Sequence, residues 1–238
     1  AEYHKRRYSA SNLTFIITGS FDRNEIIHAV ETHCGSWLSG DQGREQPTPT
    51  FQASSRVVKR EGVAREHIAL ALPAPPAPDD QAVTADLLSA YLGASTNSKL
   101  YWSVIQEGLA DEASAEYIGF SDAGLFHVYA SVDPQNAARV LDIIRHEMAD
   151  LKNGIDADAL ERAKTKLATG LICSGENGLS RFSQIVGNLG TTTPLKTLKE
   201  ERAEIDAVTP ESITNYLEAY PLDLDPALVA LGPLESLT

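Results

Sequence analysis

Along residues 124–132, Phe126, Val128, Ala130 and Val132 fall on one side while Leu125, His127, Tyr129 and Ser131 fall on the other. That period of two is the signature of a strand with one face toward a core. Glu112–Phe120 precedes it, separated by the turn Ser121-Asp122-Ala123-Gly124, so the two predict a hairpin. Upstream, Ser98 is an N-cap for a helix running to about Glu107 and stopped by Gly108. Downstream, Asp133-Pro134 opens a helix reaching Lys152, because proline at the first helical position gives up no hydrogen bond. Val140, Leu141, Ile144, Met148 and Leu151 then recur at helical spacing, and Asn153-Gly154 closes the run.

The same reading extends to both ends. Asn12–Gly19 predicts a strand with Leu13, Phe15 and Ile17 on one face. Asp22-x-x-Glu25 opens a helix carrying Ile26, Ile27 and Val30 and ending near Gly35. Gly, Gln, Pro, Thr and Ser dominate 39–55, which marks an exposed connection and an internal boundary. Strands follow at Ser55–Arg60 and Glu66–Leu72, the second ended by Pro73-Ala74-Pro75-Pro76-Ala77-Pro78. A helix over Gln81–Leu92 turns Val83, Leu87, Leu88 and Tyr91 inward. Asp158-x-x-Glu161 opens a longer helical region toward Leu189, interrupted near Ser174–Gly178. Helices at Leu195–Ala207 and from Thr209-Pro210 to Tyr220 precede a last strand, Ala227–Leu231.

The elements run β α β β α α β β α α α α β, with two-strand hairpins among them. The expected class is α+β: a mainly antiparallel sheet covered by helices, forming one domain over 1–238.

Composition narrows the function. With 42% hydrophobic and 22% charged residues the chain reads as an ordinary globular protein. Its net charge of −13 argues against nucleic acid, whose phosphates require a basic surface. Its apolar runs fall short of the roughly 20 residues that span a bilayer, so no membrane partner is expected. The polar opening Ala1-Glu2-Tyr3-His4-Lys5-Arg6-Arg7 does not read as a leader, and without Met it suggests a processed start. The compartment stays open. Cys34 and Cys173 are too far apart for a metal or redox motif and are expected as buried free thiols.

The chemistry-bearing motifs are sparse. His28-Ala29-Val30-Glu31-Thr32-His33 is H-x-x-E-x-H. On a helix turning about 100° per residue, the two imidazoles diverge by about 140° and cannot share an ion. The motif reads as a solvated polar face. No nucleophile elbow, phosphate-binding Gly-Lys-Ser/Thr loop or dinucleotide fingerprint is present.

One resemblance rests on Ser98-x-Leu100-Tyr101-x-x-Val104-x-x-Glu107-Gly108-Leu109-Ala110, then Gly124-Leu125-Phe126 and Asp133-Pro134. These resemble the second half of the pitrilysin, insulinase and mitochondrial processing peptidase family of zinc metallopeptidases. Tyr8-x-x-Ser11-Asn12-Leu13, Glu161-x-x-Lys164, Val208-Thr209-Pro210 and Ala230-Leu231-Gly232-Pro233 extend the likeness in the same order. The resemblance implies a non-catalytic half with no cofactor of its own. Zinc would sit in a partner half, on the same polypeptide or a homologous subunit, and peptide would be the substrate. In the family an Arg in the helix and a Tyr just after Gly-Leu-Ala help to hold that peptide. Here Asp111 stands at the Tyr position, the Arg position falls near Val104 or Ile105, and no Arg occurs between Arg65 and Arg139. The substrate-binding candidates are therefore Gln106, Asp111 and Tyr117, expected on a wall facing the partner half. The resemblance also allows a structural or assembly subunit without peptidase activity.

Overall fold

The computed structural model describes residues 2–40 and 49–237. Five strands among them make one sheet: β1 (Ser54–Lys59), β2 (Glu66–Ala74), β3 (Ala110–Gly119), β4 (Gly124–Val132) and β5 (Ala227–Gly232). Their spatial order is β1-β5-β2-β4-β3. The β2–β4, β2–β5 and β3–β4 pairings are antiparallel, and only β1–β5 is parallel. β1 and β2 follow each other in sequence but form no hairpin, because β5 returns from the end of the chain to lie between them.

The period-two pattern decides which face is sealed. Ile68, Leu70, Leu72, Phe126, Val128, Ala130, Leu228 and Ala113 all point to one side and are buried beneath helices. The opposite face, with Ala69, Ala71, Leu125, His127 and Tyr129, is only half-buried. There His67 Nδ1 meets the Tyr129 hydroxyl at 2.7 Å, and His127 Nδ1 lies 3.1 Å from Glu116 Oε1.

The helices are α1 (Glu2–Arg7), α2 (Arg23–Cys34), α3 (Ala82–Gly93), α4 (Ala137–Asp150), α5 (Ala157–Glu176), α6 (Gly178–Gly190), α7 (Leu198–Ala207) and α8 (Pro210–Ala219). α3 buries Leu87 and Leu88 completely, and α4 buries Val140 and Ile144. Their starts are set by side chains that satisfy the first backbone N–H groups. Asp22, Asp156 and Asn177 each accept two such bonds, and Thr197 and Thr209 form capping boxes with Glu200 and Ser212. Asn177 is the break anticipated near Ser174–Gly178.

Several expectations are corrected. Asn12–Gly19 forms no strand: after a short 3-10 turn at Ala10–Asn12, Leu13 is extended, but residues 13–18 join no ladder. β2 continues past the expected stop through Pro73 and Ala74. Proline is tolerated there because β5 pairs only with His67–Ala71, leaving Pro73 beside β4 alone. The fifth long helix is capped by Asp156 rather than Asp158. Asp133 makes no cap bond, since its carboxylate is turned to Arg65. Neither thiol is buried: Cys34 is half-buried, and Cys173 is exposed on α5. The 39–55 connection lies partly outside the described residues.

Candidate functional site

The motif-bearing helix winds unusually. Ser98 caps it as expected, accepting from Tyr101 N–H at 3.1 Å, but Tyr101–Ile105 form a π turn. Gln106 N–H donates to Tyr101 C=O and Leu109 N–H to Val104 C=O. The widened turn ends at Gly108, whose φ of +67° places it in the left-handed region where glycine is favoured. β3 begins at once, with a register shift between Ala110 and Glu112 that sets Asp111 in a bulge. π turns and bulges both interrupt a regular ladder, and both recur where a structure must aim a side chain.

Gln106, Asp111 and Tyr117 do not converge. Gln106 is exposed, with its Nε2 on the Tyr101 hydroxyl. Asp111 Oδ2 lies 2.7 Å from Arg65 Nε, and the same guanidinium also pairs with Asp133. Tyr117 is six positions further along β3, about 20 Å at strand rise. It shares the sealed face with its cross-strand partner Phe126, and its hydroxyl donates to Pro75 C=O at 2.8 Å. Burial, with Asp79 and Asp86 adding to it, raises the Tyr117 pKa well above its ordinary value, so it is a neutral donor.

β3 ends the sheet, and no strand among the described residues flanks its outer side. Ala77 N–H reaches round to Phe120 C=O at 2.8 Å just past its end. Gly93, ending α3, presses on Ser114 and Ala115 so closely that a β-carbon there would lie 2.1 Å from Ala115 N.

Beside the far end of β3 opens a cleft of two lobes, about 760 and 610 Å³. Tyr117, Asp79, Asp86, Glu201 and Glu204 line it, with Lys166 and Lys196 as counter-charges. Lys196 Nζ is 2.5 Å from Glu204 Oε1, and Arg181 lies 3.2 Å from Glu201 Oε1. Asp86 keeps solvent-exposed surface through the cleft, yet protein surrounds its carboxyl on most sides, and this desolvation raises its pKa. Sequence reading missed this cleft. Asp79 caps the start of the turn before α3, accepting from Gln81 N–H at 2.8 Å. No local signal links it to Glu201, more than a hundred positions away.

Among the described residues, no three His, Cys, Asp or Glu side chains are arranged to hold a metal ion. No helix among them is long and apolar enough to cross a membrane.

Comparison with known proteins gives this arrangement its kinship. The chain is 25% identical over 243 residues to an uncharacterised zinc protease of Mycobacterium leprae, covering 98% of itself and 54% of that protein. It is 22% identical over 247 residues to the bovine (Bos taurus) mitochondrial-processing peptidase subunit beta, covering 99% of itself and 50% of that subunit. The crystal structure of a peptidase M16 inactive domain from Pseudomonas fluorescens superposes with a TM-score of 0.85 at 18% identity, over 99% of this chain and 57% of that one. A chain of complex III2 from Candida albicans superposes with a TM-score of 0.83 at 20% identity, over 92% and 55% respectively. The chain thus spans about half the length of the relatives it matches. The sequence pattern of the family described as peptidase M16 inactive domain matches residues 1–167, and the chain belongs to that family.

Proposed function

We propose that this chain is the substrate-clamping half of a zinc metalloendopeptidase, pairing with a zinc-bearing half of the same polypeptide or of a homologous subunit. The observation that carries this reading is β3, an edge strand that no strand among the described residues flanks on its outer side. An extended peptide can add to such an edge through backbone hydrogen bonds, which tolerate many sequences. The Asp111 bulge and Gln106 stand at one end of that edge, and Tyr117 and the acidic cleft at the other. Zinc and its activated water would come from the partner half, while this half holds the chain to be cut.

Hydrogen exchange on the reassembled pair, with and without an uncleavable peptide of about 15 residues, tests the clamp. Amides of Ala110–Gly119 are expected to slow on binding. Slowing confined to other elements would remove β3 from the binding surface.

A second reading, an assembly subunit without peptidase activity, is favoured by one observation. The position where the family has a substrate-holding Tyr is occupied by Asp111, tied into a structural ion pair with Arg65. Reassembly with the zinc half separates the two: an assembly subunit supports no cleavage.

A further inference from the structure

α6 is bound to the fold largely through its polar side. It buries none of its residues. Leu179, Val186 and Leu189 are 71%, 41% and 39% exposed, and Phe182 and Ile185 are only half-buried. A helix held by packing turns its apolar stripe to the core. Here Arg181, Gln184 and Asn188 are half-buried instead. Gln184 and Asn188 line both lobes of the cleft, and Gly187 lines the smaller. A β-carbon added at Gly187 would meet no described atom within 4 Å, so that glycine weakens the helix with no close packing in return.

Polar bonds to α7 and the residues before it hold α6 down. Arg181 donates to Glu201 Oε1 at 3.2 Å and to Lys196 C=O at 2.6 Å, and Gln184 Nε2 donates to Glu201 Oε2 at 2.9 Å. Both ends of α6 are jointed. At the first, Asn177 alone separates it from α5, an extended residue between two helices. Just past the other, Thr192 has φ +60°, the left-handed region that β-branched side chains avoid. Backbone outliers of this kind cluster at clamps and switch regions, where the surrounding structure holds them in place.

We propose that α6 is a hinged lid on the cleft, latched by Arg181 and Gln184 to Glu201 and swinging on Asn177 and Thr192. Its opening admits the end of a peptide lying along β3. The far end of that strand leads there, since Tyr117 and Gly119 line the smaller lobe. Just beyond, Ser121 Oγ meets Gly190 C=O at 3.4 Å, so a peptide running past Gly119 comes up against α6. Motion of a whole helix about a few terminal residues is the ordinary form of such closure. The admission of peptide rests on the clamp reading, whereas the latch and the joints are properties of this chain alone.

The test is a distance measured between two spin labels in the full chain, one on Ser183→Cys of α6 and one on Arg162→Cys of α5, in a Cys34→Ser, Cys173→Ser background. A control pair joins Arg162→Cys to Glu211→Cys on α8. The latched protein is expected to give one distance. Arg181→Met is expected to add a population longer by about 5 Å or more, the rise of one helical turn, with the control distance unchanged. Glu201→Gln, which keeps the shape of the side chain, gives the same reading should Arg181→Met fail to fold. In the reassembled pair, an uncleavable peptide longer than β3 is expected to raise the same long population. A distance that neither variant changes would make α6 a fixed wall and overturn the inference. So would a control distance that shifts equally, which is general loosening. Peptide that slows the β3 amides without moving α6 would leave the clamp standing and overturn the lid. Peptide that slows no β3 amide would remove the clamp reading itself, and the admission of peptide with it.

Discussion

Asp111 is clasped by Arg65, Oδ2 to Nε at 2.7 Å, and the guanidinium that holds it also holds Asp133. This links the bulge of β3 to the start of the turn before α4. Both carboxylates are more than half exposed, so each pair contributes at most about 1 kcal/mol. Asp111→Tyr is therefore expected to leave the fold intact while restoring the family's residue at that point. Combined with Ile105→Arg it should raise cleavage by the reassembled enzyme about tenfold or more at subsaturating peptide, the effect of a charge-assisted bond of about 1.5–3 kcal/mol. Val104 is fully buried, so Val104→Arg should unfold the chain, whereas Ile105 is half-buried at the rim. Steady-state cleavage and thermal melts of the three variants check this; unchanged cleavage in the Asp111→Tyr, Ile105→Arg pair would count against the clamp.

Gly93→Ala sets two effects against each other. In a helix the exchange gains about 1 kcal/mol in propensity. Here the new β-carbon would lie 2.1 Å from Ala115 N and 2.6 Å from Ala115 Cβ, and backbone cannot swing aside. The clash should win, with a loss of about 3 kcal/mol or more, read as a lower urea midpoint. A midpoint equal to or above that of the unaltered chain would show that α3 can lift off β3.

Among the described residues, two buried side-chain polar atoms have no partner: the Tyr216 hydroxyl and Glu66 Oε1. Tyr216→Phe removes an unsatisfied hydroxyl and keeps the ring, so stability should be unchanged or higher by up to about 1 kcal/mol. Glu66 is 0% exposed, and its other oxygen accepts from Leu234 N–H at 3.2 Å. Glu66→Gln keeps that acceptor and removes a buried charge, so it should be tolerated, whereas Glu66→Ala should cost about 1–3 kcal/mol by freeing the Leu234 N–H and opening a cavity. Urea titrations of the three variants are the measurement, and a Gln variant as unstable as the Ala variant would assign the charge itself a role.

Lys99 joins the motif helix to α4, with its Nζ 2.6 Å from Asp150 Oδ2 and 2.9 Å from Glu147 Oε2. The Lys99 bond, then Asn153, hold the Asp150 pKa below its ordinary value. Burial works to lower the Lys99 pKa, but hydrogen bonds from Asp150 and Glu147 outweigh it and leave it raised. A depressed carboxylate stabilises the fold fully above its unfolded pKa of about 3.9 and loses that contribution as pH falls through the folded value. A raised lysine contributes fully below about pH 10.4 and loses it only as pH rises through its folded value. Across neutral pH the triad is thus intact. Lys99→Met should destabilise by about 1 kcal/mol near pH 7, and the gap from the unaltered chain should narrow below about pH 4. Denaturant midpoints from pH 3 to 7 show whether the two curves converge.

The sequence alone determined the sealed face of the sheet, because alternation such as Phe126, Val128, Ala130, Val132 admits one burial choice. It likewise determined the helix starts at Thr209-Pro210 and Ser98, where capping chemistry is local, and the kinship carried by the segment from Ser98 to Pro134. Only the tertiary structure decided what distant segments do to one another. β5 inserts between β1 and β2 across more than 150 positions, and no local pattern encodes that pairing. Leu13–Thr18 has the pattern of a strand yet pairs with no strand among the described residues, since a strand needs a neighbour as well as a propensity. Asp111, Gln106 and Tyr117 sit close in sequence, but strand rise and face put them at separate places. Asp79 and Glu201 are far apart in sequence and share one cleft, because helix packing on a sheet, not chain proximity, sets which charges meet.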